Sequence, residues 1–255
     1  MSWYIILALA VVAIGTLIWL KYSKNPHAVL AIGFIIGISI FSLFFYQSRQ
    51  GDTSLRVVGY SSKLFESDLV KWNVTVQKYV PAGGITGGYK SMNEDVKAFK
   101  TYLVEQGIPA KDISVMPISS YNQYDQYGKV VGHNLNQSLF LLSSELDKIE
   151  ELALDPAFIA DRGMILQESR LEYLYTELPK LKQELLSDAT SDALARANEI
   201  AGSAKTKLGK LREARAGVFQ ITEPYSTDVS DYGIYNTSTR QKSISVTLTA
   251  HFKLR

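Results

Sequence analysis

Two uncharged runs near the start limit the fold of this chain more than any other feature. Residues 3–20 and 28–46 contain no Asp, Glu, Lys or Arg and are apolar all round a helix instead of along one stripe. A helix of that kind belongs in a large core or in a bilayer. At about 1.5 Å per residue the two runs reach roughly 27 to 29 Å, close to a hydrocarbon thickness of about 30 Å. The sequence therefore predicts a transmembrane helical hairpin over residues 1–50, with spans at about 3–20 and 28–46. Trp3, Tyr4, Trp19, Tyr22 and Tyr46 fall at the ends, where amphipathic rings favour the headgroup layer. A cleaved leader needs a basic start and small residues before the cut; Met1-Ser2 and Ile18-Trp19-Leu20 supply neither. Lys21 and Lys24 in the short connector favour the cytoplasmic side, which places the rest of the chain outside, while Arg49 and Arg56 weigh the other way. Gly33 and Gly37 form a GxxxG pair, a candidate helix-packing face in the membrane or an accident of spacing.

After a polar tether the pattern changes to period two, and residues 51–255 are expected to fold as an α+β body. Val70, Trp72, Val74 and Val76 alternate with polar residues, which predicts a half-buried strand. Residues 55–65 are expected as its hairpin partner, and the glycine pairs within 83–88 as a turn. Val96, Phe99 and Leu103 lie at helical spacing within 91–106, and Gly107 follows as a stop. A strand at 113–116, a tyrosine-rich tip at 121–128, a strand at 130–142 and a short helix at 145–154 complete a first unit. A second unit repeats the order: a strand within 163–175, a long helix from 179 to about 204, a strand near 216–222 and a last strand at 242–254. Strand, helix, strand, strand thus occurs twice. The long helix carries Leu178, Leu181, Leu185, Ala189, Ala193, Ala197, Ile200 and Ala204 on one stripe, with small residues late enough to allow close approach to a sheet.

The stretch 202–211, GSAKTKLGKL, looks at first like a phosphate loop. Such a loop needs a preceding strand, a following helix and a hydroxyl after the lysine. Here the helix comes first and presents carbonyls, and Lys210 is followed by Leu211, so an anion meets the wrong end of the dipole. Lys205, Lys207, Lys210, Arg212 and Arg215 read as charge at that carbonyl end, facing either water or a partner. Asp188, Asp192, Arg196 and Glu199 read as a solvated helix face with an Asp192–Arg196 pair. His251 stands on the polar side of the last strand, and the other histidines, His27 and His133, are remote in sequence. There is no cysteine, which removes thiolate ligands and nucleophiles, and 27 Lys+Arg against 25 Asp+Glu leave no field to recruit nucleic acid. No catalytic residue, cofactor or metal site is expected.

Several stretches resemble one known family. Residues 190–224 (TSDALARANEIAGSAKTKLGKLREARAGVFQITEP), the DYGIYNTS stretch at 231–238, the strand SISVTLTAHFKLR and the opening RVVGYSSKLFESDLVKWNVTVQ at 56–77 are similar to the SIMPL domain, as is QGIPAKDISV at 106–115. The resemblance covers roughly residues 54–255; the extra apolar run at 1–20 departs from it. It implies an exported α+β envelope domain, capable of forming rings or channel-like oligomers and without a catalytic motif. The expectation is a non-enzymatic protein of the bacterial inner membrane, its folded body facing the periplasm or exterior, that assembles with copies of itself. Candidate interface residues are Tyr121, Tyr124 and Tyr127 on the hairpin tip, and Tyr225, Tyr232, Ile234 and Tyr235 in a polar loop. The bilayer, through residues 3–46, and another envelope protein are the other expected partners. The alternative is a monomeric ligand-binding or stress-protective module.

Overall fold

The computed structural model describes residues 12–17, 19, 21, 26–49 and 54–255. The chain divides into two compact units, Met1–Ser54 and Leu55–Arg255. In the first, residues 12–17 are helical and helix α1 spans Pro26–Arg49. Leu30, Phe34, Ile35, Phe41 and Phe44 of α1 are exposed, and a Cβ added to Gly33 or Gly37 meets nothing within 4 Å. Among the described residues no helix is long and apolar enough to cross a membrane. The structure thus gives the predicted transmembrane hairpin no support: α1 covers the second run, and most of the first run lies outside the described residues.

The second unit is built on two sheets, each backed by helices and each with its own core. The first sheet has the order β3-β5-β2-β6, with β4 also paired to β5; its strands are β2 (Leu69–Pro81), β3 (Ile113–Val115), β4 (Ser119–Tyr124), β5 (Val130–Ser143) and β6 (Ile165–Leu174). Helices α2 (Ile85–Glu105), α3 (Leu146–Leu154) and α4 (Ala157–Asp161) pack on it. The alternation in β2 puts Val70, Trp72, Val74 and Val76 inside, against Met92, Val96, Phe99 and Leu103 of α2. The Trp72 ring meets Phe99 edge-on at 6.3 Å, and its indole N–H donates to Ser169 Oγ at 2.9 Å. Helix α2 begins six residues before the predicted 91. Gly88 explains the difference: a Cβ there would lie 2.5 Å from Val80 Cγ2 and 3.2 Å from Leu135 Cδ1, so this glycine serves helix-to-sheet contact and not a turn.

The second sheet has the order β1-β10-β8-β9, with β7 also paired to β10; its strands are β1 (Ser54–Glu66), β7 (Leu208–Ala216), β8 (Gln220–Thr222), β9 (Ile234–Tyr235) and β10 (Gln241–Leu254). Helix α5 (Leu178–Ser203) backs it with Leu181, Leu185, Ala189, Ala193, Ala197 and Ala201. Ile200, expected on that stripe, is exposed instead. The alanines allow α5 to approach so closely that a Cβ on Gly59 of β1 would fall 2.1 Å from the Ala189 carbonyl oxygen and 2.8 Å from Ala193 Cβ. Tyr60 N–H donates to the Asp192 carboxylate at 2.8 Å, and Arg196 Nε donates to the same oxygen at 2.8 Å. Asp192 therefore ties α5 to β1, where the sequence showed only a helix-face pair, and both bonds hold its carboxyl below the usual range, the Tyr60 amide most.

Three expectations are corrected. Strand β1 is not the hairpin partner of β2; it pairs with β10 in the other sheet. The two strand-helix-strand-strand repeats do not fold as consecutive blocks either, because β1 precedes the first sheet yet joins the second, and β6 precedes α5 yet joins the first. Residues 208–216, read as charge following a helix, form the edge strand β7, paired antiparallel to β10 from Leu254↔Leu208 to Leu248↔Ala216. The predicted strand at 216–222 is the short β8 beyond it.

Candidate functional site

The exchange of β1 and β6 forces the chain to cross between sheets twice, and the crossings meet at one junction. There Asp68 accepts hydrogen bonds from Thr176 N–H at 2.8 Å and Thr176 Oγ1 at 2.5 Å, while its own N–H donates to Leu174 O at 3.1 Å. Ser67 N–H donates to Arg240 O at 3.0 Å, and the Phe65 and Tyr175 rings meet at 5.0 Å. Asp68 therefore clips the exit of β1 to the exit of β6, which is the physical role of an acidic residue at the head of β2.

Arg240 joins three elements here. Its Nε donates to Glu66 at 2.6 Å, its Nη1 to Asp147 of α3, and Glu150 Oε2 lies 3.9 Å away. Glu150 in turn accepts the Tyr173 hydroxyl at 2.8 Å, and burial, reinforced by that bond, pushes the phenol up to about 12. Beneath them lies Lys242, 1% exposed, whose ammonium donates to Thr239 O and sits 5.9 Å from the Tyr173 ring centroid. Burial alone lowers its amine to about 8, with no carboxylate to compensate. Ser67 Oγ and Thr239 Oγ1 are buried without a partner. The junction opens to solvent as a groove of about 670 Å³ lined by Glu66, Ser67, Asp68, Asp147, Lys148 and Arg240, together with Ser144, Glu145 and Leu146. Four carboxylates against two cations make it acidic.

Sequence reasoning missed this junction, although a signal was present. In β10 the inward positions are Lys242, Ile244, Val246, Leu248, Ala250 and Phe252, so Lys242 stands on the apolar register of an otherwise regular strand. Chemically, Lys242 is a buried amine enclosed by protein and not opened to a substrate. Among the described residues no group of three or more His, Cys, Asp or Glu is placed to hold a metal ion.

The candidate interface residues lie in two places. Tyr121 and Tyr124 stand on β4 and Tyr127 at the adjoining turn, where the Asp125 carboxylate accepts the N–H groups of Tyr127 and Lys129. All six residues of β4 are exposed, none is charged, and the strand pairs on one side only, with β5. Ile234 and Tyr235 form β9 of the other sheet, and Tyr225 and Tyr232 lie in the loop before it. Their loop is pinned by Gln220, whose side chain bonds the Ser230 backbone on both sides, and by the parallel pairing of β8 with β9. Tyr232 is 97% exposed and Tyr225 nearly as much; Ile234 is half-buried. The strands that carry the two groups, β4 and β9, belong to different sheets.

Two comparisons with known proteins complete the picture. No curated protein matches the chain. The family model SIMPL, described as protein of unknown function (DUF541), matches residues 55–252. That match takes in nearly the whole of both sheets and the helices behind them, and it bears out the resemblance over residues 55–252. With most of its length so matched, the chain belongs to the SIMPL family.

Proposed function

We propose that this protein is a non-enzymatic scaffold of the bacterial envelope, held at the inner membrane by its first fifty residues and assembled with copies of itself through the body at 51–255. The observation that carries the reading is the contrast between two sheet edges. Strand β7 is guarded by Lys210, Arg212, Glu213 and Arg215, the usual protection against edge-to-edge pairing. Strand β4, SSYNQY, has no charge, no proline and two exposed tyrosines. An unguarded edge with aromatic side chains is suited to accept a strand from a second copy, with Tyr121, Tyr124 and Tyr127 as anchors.

The membrane part of the proposal rests on exposure. Leu30, Phe34, Ile35, Ile38, Phe41 and Phe44 of α1 are exposed, and a continuous apolar surface of that kind is unstable in water. A bilayer supplies the cover, and Lys21 and Lys24 favour the orientation with the folded body in the periplasm. Flotation of the full-length chain with liposomes, and its mass in detergent by light scattering, test the two parts separately. Co-flotation and a multimeric mass are expected; a chain that stays with the aqueous fraction contradicts the anchor, and a monomeric mass at high concentration contradicts the assembly.

A further inference from the structure

The face of the second sheet turned away from α5 is a row of hydroxyls. In β10, Ser243, Ser245, Thr247 and Thr249 alternate with the core residues Ile244, Val246 and Leu248. Where β10 passes from its pairing with β8 to its pairing with β7, a cavity of about 500 Å³ opens over Ser245 and Thr247. Small-molecule sites occupy about 300–1,000 Å³. Tyr60 of β1 forms one side, residues 216–218 between β7 and β8 a second, and residues 229–231 of the loop before β9 a third.

The walls are braced by groups behind them. Asp192 of α5 fixes the Tyr60 backbone at 2.8 Å, and the Gln220 side chain grips the Ser230 backbone with bonds of 2.7 and 3.3 Å. Gly217 N–H donates to Thr247 O at 2.8 Å, and a Cβ on that glycine would fall 2.6 Å from Thr247 Oγ1. The missing side chain therefore leaves the Thr247 hydroxyl its room. Among the described residues, the Tyr60 hydroxyl, Ser245 Oγ, Thr247 Oγ1 and the Asp231 carboxylate have no hydrogen bond or ion pair with another side chain or backbone group. These groups are available to a ligand.

Their chemistry narrows its class. Among the described residues no Lys, Arg or His lines the cavity, so an anion finds no counter-charge and is repelled by Asp231. One carboxylate is too few for a divalent cation, and a lipid chain would bury the hydroxyls unpaired. We propose that the cavity binds a neutral saccharide unit. Sugar hydroxyls donate and accept, as those of Tyr60, Ser245 and Thr247 do, and the Asp231 carboxylate accepts from them. The C–H face of the sugar ring suits the negative face of the half-exposed Tyr60 ring and the exposed Val218 and Val229. The site gives the scaffold a ligand and uses neither the β4 edge nor the apolar N-terminal runs.

The test is a ligand-observed NMR titration of the full-length protein in a detergent without a sugar headgroup. The probes are cellobiose and N,N′-diacetylchitobiose, with glucose 6-phosphate as the charged comparison. Saturable binding of at least one neutral disaccharide is expected, with several-fold weaker binding of the phosphate. Tyr60→Ala should weaken the disaccharide about tenfold, and Thr247→Val, which removes only a hydroxyl, several-fold. Thr249→Val, on the same strand face but outside the cavity, should leave binding unchanged. Co-sedimentation with insoluble chitin or cellulose assigns a glycan chain as the ligand, and disaccharide binding without it assigns a free sugar; both support the site. No saturable binding of either disaccharide, equal binding of the phosphate, or binding that Tyr60→Ala and Thr247→Val leave intact overturns it. The mass of the protein in detergent is expected to be the same for all these variants, so loss of the saccharide reading leaves the assembly reading standing.

Discussion

The two sheets of this domain solve the same packing problem with opposite materials. The first sheet is filled with large side chains, Trp72, Met92, Phe99, Leu103 and Ile149. The second meets α5 through Ala189, Ala193 and Ala197 over Gly59, so its helix axis lies close to the strands and little side-chain volume intervenes. Their edges differ as well: β4 of the first is bare of charge, and β7 of the second is covered with it. The comparison teaches that the first sheet is sensitive to loss of volume and the second to gain, and that the first offers the surface for strand addition.

The largest expected effect follows from emptying the first core. Trp72→Ala removes a buried ring that touches Phe99 and bonds Ser169, and should cost about 3–5 kcal/mol in denaturant unfolding. The matching test of the second core adds volume. Gly59→Val should cost about 1–3 kcal/mol or more, because the new Cβ meets the Ala189 backbone and not a flexible chain end. A cost near zero there would mean that α5 is not held against β1 as described.

A third variant should act in the opposite direction. Lys242 is buried without a counter-charge, and burial lowers its amine from 10.5 to about 8. Below about pH 8 the folded protein carries the cost of enclosing the ammonium, roughly 3 kcal/mol for a shift of that size. Between about pH 8 and 10.5 the unfolded chain binds more protons than the folded one, so stability rises with pH across that window. Lys242→Met should raise the unfolding midpoint at pH 7 by the equivalent of about 1–2 kcal/mol, part of the gain being offset by the lost bond to Thr239. It should also flatten the rise between pH 8 and 10.5, and an unchanged pH profile would remove Lys242 as its source. The smallest effect is expected from Asp192→Ala, which frees the Tyr60 amide; faster hydrogen exchange at Tyr60, with little change in the global midpoint, is the predicted reading.

Much of this fold was legible where one face of an element is buried. The alternation from Ile244 to Phe252 and the i,i+4 row from Leu181 to Ala197 each identify an element and its inner face. Partner choice was not legible. Its β-branched and aromatic content marks 55–65 as a strand but does not say that its neighbour is β10, nearly two hundred residues on, because Val57 and Gly59 fit either sheet locally. Strand β7 was hidden for another reason: exposed on both faces at a sheet edge, it has no apolar alternation to show. The junction around Arg240 escaped notice because its members, Glu66, Asp147, Glu150, Tyr173 and Lys242, are scattered along the chain and come together only through the exchange of β1 and β6. The tyrosines of β4 were legible as candidates, and their position on an unguarded edge emerges from the pairing.

The central claim is that β4 is the edge through which copies of this chain meet, and the most direct measurement is the mass of the full-length protein with that edge charged. Tyr121→Lys combined with Tyr124→Lys places two cations on exposed positions that carry no core packing. The account predicts a multimeric mass for the unaltered chain, a clearly smaller one for the doubly substituted chain, and the same unfolding midpoint for both. An undiminished multimer in the substituted chain would contradict it.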